Sequence, residues 1–268
     1  MSGPGPRTAI AVGPHLDDAV LSVGGVLALL CRAGWHVRVV TCFTASVEDP
    51  GPFALSTQTD KGLPADVDYM ALRRAQDSAA QDRLGALPPL HLPLREAPHR
   101  GYDSPPELFR PPHPADTADS ELRRLLRGPL GSADLVLAPQ GVGDHVDRLV
   151  TARAVAAVAP APRTGWWRDL PYAARTPRAD TGSRHGGREG TGEVTVGIDT
   201  VLPVKTAAAE CYTTQLAFQF GDGQHIGEAL SAMARAEAHR TGSPHPHGET
   251  LRAGRLARRV LDKSIRSL

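Results

Sequence analysis

The first third of the chain carries a strand–helix–strand pattern, which restricts the fold more than any other feature of the sequence. Thr8–Gly13 is a short apolar run that ends at a Gly-Pro pair, which is typical of a buried parallel strand. Residues 20–33 are apolar over a helical length and end at a glycine, and residues 36–43 are then rich in β-branched side chains. A strand, a helix and a second strand predict a right-handed βαβ unit, and such units build parallel sheets.

The same alternation of helices and strands continues to about residue 160. Helices are predicted over residues 68–85, 116–127 and 147–159, and strands over residues 90–94 and 134–138. We therefore predict a Rossmann-like α/β fold, a three-layer sandwich with a mostly parallel sheet. Ligands of such folds bind beyond the carboxyl ends of the strands.

Residues 161–268 have a different character, and we predict that they elaborate the core within one domain that comprises the whole chain. Residues 175–192 are polar and rich in glycine and arginine, which indicates a flexible surface loop. Residues 193–203 alternate like a strand, residues 204–220 have helical periodicity, and residues 227–240 form the final predicted helix. This part should add a C-terminal hairpin and helices over the strand ends of the core.

The composition limits the class of partner. The chain has 268 residues with 30 basic and 29 acidic side chains, so its formal net charge is +1. Nucleic acids and anionic membranes attract proteins with a basic excess, so we predict neither partner and expect a small-molecule substrate.

Three cysteines without a C-x-x-C pair indicate reduced thiols in a cytoplasmic protein. No window reaches about 18 consecutive apolar residues, so no membrane span is predicted. The sequence does not indicate an oligomeric state.

The first polar cluster follows the first predicted strand directly. It consists of His15, Asp17 and Asp18 in the sequence Gly-Pro-His-Leu-Asp-Asp. Histidine and aspartate are zinc ligands, and a free carboxylate beside them can act as the base on an activated water. Alternatively, Asp17 or Asp18 caps the next helix and His15 is a turn residue.

The second polar cluster lies between the predicted strand 134–138 and the predicted helix 147–159. His145 and Asp147 stand two residues apart at the end of a glycine-rich turn. The carboxyl ends of neighbouring strands lie side by side, so this pair can meet the first cluster. An aspartate beside a histidine commonly fixes its tautomer and raises its basicity. The alternative is a glycine-rich turn in which Asp147 only caps the helix.

With these clusters the sequence resembles the PIG-L-like (LmbE-like) metal-dependent N-deacetylases, which act in mycothiol, bacillithiol, GPI-anchor and antibiotic biosynthesis. The first family motif, P-H-x-D-D, is matched by residues 14–18. The second, H-x-D-H, is matched by residues 145–147 but not at its last position. The similarity extends to residues 73–77, 168–172 and 205–215, and so covers most of the chain.

The resemblance implies a role for each matched residue. His15 and Asp18 would be zinc ligands, and Asp17 would be the general base that deprotonates the attacking water. His145 would stabilise the oxyanion or protonate the leaving amine, and Asp147 would orient it. The implied cofactor is Zn²⁺, and the implied substrate is an N-acetylated amino sugar or natural-product intermediate.

Two further features have both a functional and a structural interpretation. The resemblance makes Arg73 a substrate-positioning residue for sugar hydroxyls or a phosphate, but it also fits a solvated helix face. Gln76 stands where the family often has glutamate. The pair Trp166 and Trp167 precedes Asp169, which we place near the site, and either lines the pocket or packs in the core.

The sequence departs from the family at Arg148, where the family has the histidine that is its third zinc ligand. A guanidinium stays protonated and offers no lone pair, whereas a catalytic zinc normally keeps three protein ligands and a water. Three alternatives stay open. His145 becomes the third ligand; Asp144 or a histidine of the 245–247 loop takes the position; or the metal is absent and Arg148 binds Asp18 or an anionic substrate. We predict that Arg148 points into the cavity, within salt-bridge reach of a carboxylate.

Two classes of function follow from these observations. The first is a zinc-dependent N-deacetylase or related amidohydrolase. The second is a family member that lacks its third ligand and works as a metal-free enzyme of another reaction class or as a binding protein. A nucleotide-binding protein is disfavoured because Gly24 and Gly25 lack the G-x-G-x-x-G pattern, which leaves helix packing as their interpretation.

Overall fold

One mixed β-sheet organises the molecule. The computed structural model describes residues 5–175, 191–221 and 225–266. Its strands are β1 Thr8–Gly13, β2 His36–Thr41, β3 Leu90–His91, β4 Leu135–Pro139, β5 Thr164–Trp167, β6 Gly192–Gly197 and β7 Gly248–Ala253. Their order in the sheet is β3-β2-β1-β4-β5-β7-β6. β1 to β5 run parallel and β7 runs antiparallel to both neighbours, which confirms the predicted α/β fold with a mostly parallel sheet.

Helices cover both faces of this sheet. They are α1 Asp18–Arg32, α2 Pro52–Thr59, α3 Tyr69–Leu84, α4 Ala118–Ser132, α5 Val146–Val158, α6 Tyr172–Arg175, α7 Leu202–Ala209, α8 Thr213–Phe220, α9 Ile226–Arg240 and α10 Arg255–Arg266. One face packs on α1, α3, α7, α9 and α10, and the other packs on α4 and α5. Trp166 and Trp167 are buried on opposite faces, so the core-packing interpretation is confirmed for this pair. No helix in the described ranges is long and apolar enough to cross a membrane.

The strand order places a crevice at the carboxyl ends of β1 and β4. The chain leaves β1 through α1 and builds β2 and β3 on one side of it. β4 later pairs with the other side of β1, with Ala9 opposite Leu135 and Ala11 opposite Leu137. The direction of winding therefore reverses between β1 and β4, and open α/β sheets bind ligands at such a reversal.

The C-terminal third differs in detail from the sequence prediction. The strand predicted over residues 193–203 ends at Gly197, and the rest of that run forms a 3₁₀ turn and the start of α7. Pro203 lies in the first turn of α7, where its missing amide hydrogen costs nothing. The helix predicted over residues 204–220 is two helices, α7 and α8. Of the loop predicted over residues 175–192, residues 176–190 lie outside the described part of the chain.

The helix predicted over residues 227–240 is not the last element, because β7 and α10 follow it. β7 has the sequence GETLRA, and its charged residues remove the apolar pattern by which a buried strand is predicted from sequence. Pairing with β5 on one side and β6 on the other stabilises it. β6 and β7 are the expected antiparallel pair, but α7, α8 and α9 connect them instead of a tight turn.

A buried ion pair fixes a bend in α1, the helix that follows the first polar cluster. The helix departs from helical geometry at Val23 (φ −136°, ψ 19°), which frees backbone amides in the next turn. The Glu249 carboxylate accepts hydrogen bonds from the amides of Gly25 and Val26 at 3.0 and 2.7 Å and from Lys205 Nζ at 2.7 Å. A Cβ on Gly25 would lie 2.6 Å from Ile198, so this glycine serves close packing, as the sequence indicated.

Candidate active site

The two polar clusters meet in one cavity of about 480 Å³ at the carboxyl ends of β1 and β4. Six of the seven predicted site residues line this cavity: His15, Asp17, Arg73, His145, Asp147 and Arg148. The seventh, Asp18, is buried behind them and contacts two of them. The clusters converge because each follows a strand end at the point where the sheet reverses its winding.

His15 is held between two aspartates. Its Nε2 lies 3.0 Å from Asp147 Oδ2, and its Nδ1 lies 3.1 Å from Asp18 Oδ2. Burial lowers the pKa of His15, but the hydrogen bonds and charges of Asp147 and Asp18 outweigh burial and raise this pKa to about 10. The ring is therefore an imidazolium at neutral pH in this arrangement.

Asp17 points into the cavity instead of capping α1. It occupies the N-cap position, but among the described residues its carboxylate has no capping hydrogen bond. It accepts a hydrogen bond from Gln219 Nε2 at 2.7 Å and lies 4.0 Å from Arg73 Nη2. Burial and the neighbouring charge of Asp18 raise the pKa of Asp17 above its ordinary value, against the opposing charges of nearby cations. A carboxylate of raised pKa in a cavity is suited to accept a proton.

Arg148 lies where the sequence predicted, within reach of a carboxylate. Its Nη2 donates a hydrogen bond to Asp18 Oδ1 at 2.6 Å, and its guanidinium carbon lies 4.0 Å from the centre of the Tyr172 ring. Burial raises the pKa of Asp18, but the Arg148 and His15 charges outweigh burial and hold it well below its usual range. Within the described residues, Arg148 Nε and Nη1 have no hydrogen-bond partner, although Nε lies 3.9 Å from Asp169 Oδ1. Arg148 is only 2% exposed, and two of its N–H groups have no protein partner in the described residues although they lie in the wall of the cavity.

His145 is neutral and has a defined tautomer. It caps α5, and its Nδ1 accepts the backbone amide hydrogen of Asp147 at 3.2 Å. Burial is the largest effect on this ring and lowers the pKa of His145 to about 3. Because Nδ1 accepts, the proton of the neutral ring is on Nε2, which can donate a hydrogen bond.

Asp147 orients the His145 ring through its backbone amide, whereas its carboxylate connects His15 to a second arginine. Its Oδ2 faces His15 Nε2 and accepts the amide hydrogen of Ala97 at 3.1 Å, and its Oδ1 accepts a hydrogen bond from Arg100 Nη2 at 2.8 Å. Burial raises the pKa of Asp147, but Arg100 and His15 outweigh burial and hold it well below its usual range. The carboxylate therefore stays ionised.

Arg73 is buried, so the solvated-face interpretation is wrong for this residue. Its Nη1 donates to Glu96 Oε1 at 2.6 Å, and its Nη2 faces Asp17. Glu96 follows β3, so the rule that polar residues after strand ends form the site would have found it. Gln219 had no such signal, because 202 residues separate it from Asp17. Gln76 hydrogen-bonds Thr213 and Thr214 and so connects α3 to α8.

The site residues can hold a metal ion only with a ligand set that differs from the one the resemblance implies. The set implied by the resemblance is incomplete, because position 148 is a guanidinium bound to Asp18. His15, His145 and Asp147 offer ligand atoms that lie within 4.8 Å of one another, and two imidazoles with a carboxylate suit a divalent cation. To bind one, His15 must lose a proton, and His145 must either give up the hydrogen bond that its Nδ1 accepts or move its proton from Nε2. Binding would therefore release a proton from His15.

The other proposed replacements for the third ligand lie elsewhere. His247 Nδ1 is 2.8 Å from Asp199 Oδ1 and its Nε2 is 2.9 Å from Ser231 Oγ, in a separate groove beside α7. His245 lies 3.9 Å from the same Asp199 carboxylate. Asp144 has a left-handed backbone (φ 57°) in the glycine-rich turn and does not belong to the cluster of possible ligands in the described residues.

Comparisons with known proteins agree with this geometry. Residues 10–159 match the family described as GlcNAc-PI de-N-acetylase, or PIG-L. A 2′-N-acetylparomamine deacetylase of Streptomyces fradiae is 34% identical over 176 residues, which are 64% of this chain and 60% of the relative. The match thus spans about three fifths of that relative's length.

Two solved structures extend the similarity over nearly the whole chain. The deacetylase of the antimicrobial reagent A40926 pseudoaglycone superposes with a TM-score of 0.71 at 27% sequence identity. The superposition covers 93% of this chain and 97% of that deacetylase. The zinc-inhibited form of a teicoplanin deacetylase superposes with a TM-score of 0.74 at 25% identity and covers 92% and 97%. With more than half of its residues matched to the family and its motifs assembled at the switch point of the sheet, the chain belongs to the PIG-L family.

Proposed function

We propose that this protein is a hydrolase that removes an N-acetyl group from an amino-sugar-like or natural-product small molecule. The observation that carries this proposal is the pairing of Asp17 and His145 in one cavity. One is a buried carboxylate of raised pKa, and the other is a neutral imidazole with its proton on Nε2. A base and a hydrogen-bond donor on opposite sides of a reacting carbonyl are what amide hydrolysis needs.

In the proposed reaction a water oxygen attacks the amide carbon and its proton passes to Asp17. The negative charge that develops on the carbonyl oxygen is stabilised by His145 Nε2–H and by the guanidinium of Arg148. The proton then moves from Asp17 to the amide nitrogen, the C–N bond breaks to give acetic acid and the amine, and a proton passes between them so that acetate and an ammonium group leave. Arg73 and Gln219 position the Asp17 carboxylate and the substrate hydroxyls around it.

Zinc is the proposed ion for this site. It would be held by His15, by Asp147 and by His145 as the third ligand; Asp18 can join only if Arg148 releases it. A bound divalent ion polarises an amide carbonyl and makes water more acidic. If His145 held the ion through Nε2, that nitrogen could not also donate, and Arg148 would be the remaining oxyanion partner.

The Arg148–Asp18 contact favours a second candidate, a family member that works as a metal-free enzyme of another reaction class or as a non-catalytic binding protein. Metal analysis of the purified protein after growth with added zinc separates the two candidates. About one zinc per chain supports the first, and a zinc content near zero with no activation by added Zn²⁺ supports the second.

The activity itself is tested by amine release from a panel of N-acetylated amino sugars and aminoglycoside precursors. We expect hydrolysis of at least one of them, with acetate as the co-product. The proposed cellular setting is the cytoplasm of a bacterium that makes such compounds.

A further inference from the structure

Two exposed phenylalanines flank the mouth of the cavity. Among the described residues, the exposed large apolar side chains are Leu72, Phe109 and Phe218, at 39%, 46% and 69% of full exposure. Phe109 and Phe218 line the cavity, whereas Leu72 does not. Large apolar side chains are normally withdrawn from water, so two at one cavity mouth indicate a surface that a ligand covers.

The two rings come from different elements of the cavity wall. Phe109 is the last residue of the 3₁₀ helix Pro105–Phe109. Its ring lies edge-on to the His145 ring, with the ring centroids 5.6 Å apart. Phe218 belongs to α8 and directly precedes Gln219, whose side chain hydrogen-bonds Asp17. Phe109 therefore neighbours the proposed oxyanion donor, and Phe218 belongs to the helix that also supplies a hydrogen-bond partner of the proposed base.

Neither ring contributes to the core. Phe109 and Phe218 are absent from the hydrophobic clusters of the described residues. The Lys61 ammonium lies 4.9 Å from the Phe218 ring centre, and its Nζ also donates to the Thr57 carbonyl, which holds the cation beside this ring. The same cavity is also lined by the charged groups of the site, so these exposed apolar rings lie beside polar partners for a sugar.

We propose that Phe109 and Phe218 form an aromatic pair that binds an aryl aglycone, so that the substrate is an N-acetylated amino sugar joined to an aromatic group. This inference rests on the proposed function, because it places the N-acetyl group between Asp17 and His145. The sugar hydroxyls meet the charged groups of the site, and the aromatic group covers the two rings. Aromatic pairs stabilise one another beyond the burial of their area, which favours an aryl group over an aliphatic one.

The test compares two substrates that differ only in the aglycone, phenyl and methyl N-acetyl-β-glucosaminide. Amine release is measured for the wild type, Phe109→Ala, Phe218→Ala and the control Leu72→Ala. We expect Phe218→Ala to lower kcat/KM for the phenyl glycoside about 10-fold, mainly through KM, because most of the area of one ring is lost. The methyl glycoside should change less than about 2-fold, and Leu72→Ala should leave both substrates unchanged.

Equal losses for both glycosides would overturn the inference, because the rings would then bind the sugar itself. No loss for either glycoside would overturn it as well. Phe109→Leu keeps an apolar side chain beside His145 and is the control for a disturbed catalytic site. Its kcat/KM for the phenyl glycoside should fall less than that of Phe109→Ala.

If the wild type hydrolyses neither these glycosides nor any member of the N-acetylated panel, the proposed function fails, while the aromatic pair is still tested by binding. Calorimetry should then show the phenyl glycoside bound about 10-fold more weakly by Phe218→Ala than by the wild type. Equal binding by both proteins, or no binding by either, would overturn the aromatic pair.

Discussion

Two buried ion pairs in this protein are built to different degrees of completeness. In the pair behind α1, Lys205 binds Glu249, and both carboxylate oxygens also accept backbone amide hydrogens. In the pair at the cavity, Arg148 binds Asp18, yet two guanidinium nitrogens have no hydrogen-bond partner among the described residues. All four side chains are at most 2% exposed, so burial alone does not separate the two pairs.

The difference indicates what each pair is for. A buried charge without full pairing costs free energy, so a protein retains one where a ligand supplies the missing contacts. The complete Lys205–Glu249 pair serves the bend of α1, whereas the incomplete Arg148–Asp18 pair faces a cavity. Loss of the first should affect stability, and changes around the second should affect ligands and chemistry.

The largest effect is expected from Asp17→Asn, which removes the proposed base at the cavity. We expect kcat to fall about 10²–10⁴-fold, the usual contribution of a general base. The pKa of Asp17 is raised in the folded state, so its ionised form destabilises the fold once the pH exceeds its ordinary value, and the neutral asparagine should cost little stability. Amine-release kinetics and urea unfolding measure the two effects. An unchanged kcat would contradict the base assignment.

The opposite pattern is expected from Lys205→Met in the complete pair. Removing one partner leaves Glu249 buried without its cation, so the free energy of unfolding should fall by about 3–5 kcal/mol. The kinetics of the folded enzyme should not change, because Lys205 does not line the cavity. The double variant Lys205→Met/Glu249→Gln removes the orphan charge and should recover part of the loss. A double variant as unstable as the single one would show that packing, not charge, matters there.

Arg148→His should restore the imidazole of the family motif. Zinc affinity should rise about 10²-fold, on a scale of roughly 3 kcal/mol per ligand, because Asp18 is released to bind the ion and the new imidazole adds a further ligand. Arg148→Gln is the matched control, since it releases Asp18 without adding an imidazole and should gain much less. Calorimetric zinc titration measures both. If zinc affinity rises equally in the two variants, Arg148 affects zinc binding only through its charge. If zinc affinity rises in neither, the residues already present supply the ligands that the ion needs.

The smallest effect concerns the pH dependence of kcat/KM. The base must be ionised, so activity should fall as the pH drops through the raised pKa of Asp17, with an acid limb above the ordinary range of aspartate. Arg73 favours the ionised form, so Arg73→Gln should move this limb to higher pH. Arg74→Gln is the control, because Arg74 contacts Thr44 and Ser46 and not Asp17. A limb that moves equally in both variants would argue against Asp17 as its origin.

The parallel half of the fold was predictable from local pattern. The predicted helix 68–85 is found as α3, with Asp68 accepting from the amide of Ala71 and Gly85 in the left-handed conformation (φ 76°) at its end. These signals act within one turn of the chain, so they need no tertiary information. β7 lacks such a signal, because its stability comes from two neighbouring strands that are distant in sequence.

The candidate site divides in the same way. Sequence alone determined that two polar clusters follow strand ends, and strand ends of a parallel sheet must share one edge. Sequence also determined that position 148 carries a permanent charge where the family has a lone pair. Only the tertiary structure decided that Arg148 pairs with Asp18, that Gln219 reaches Asp17 and that two phenylalanines line the same cavity. These contacts join residues more than a hundred positions apart, and no local pattern encodes them because their free energy exists only once the sheet has brought the segments together.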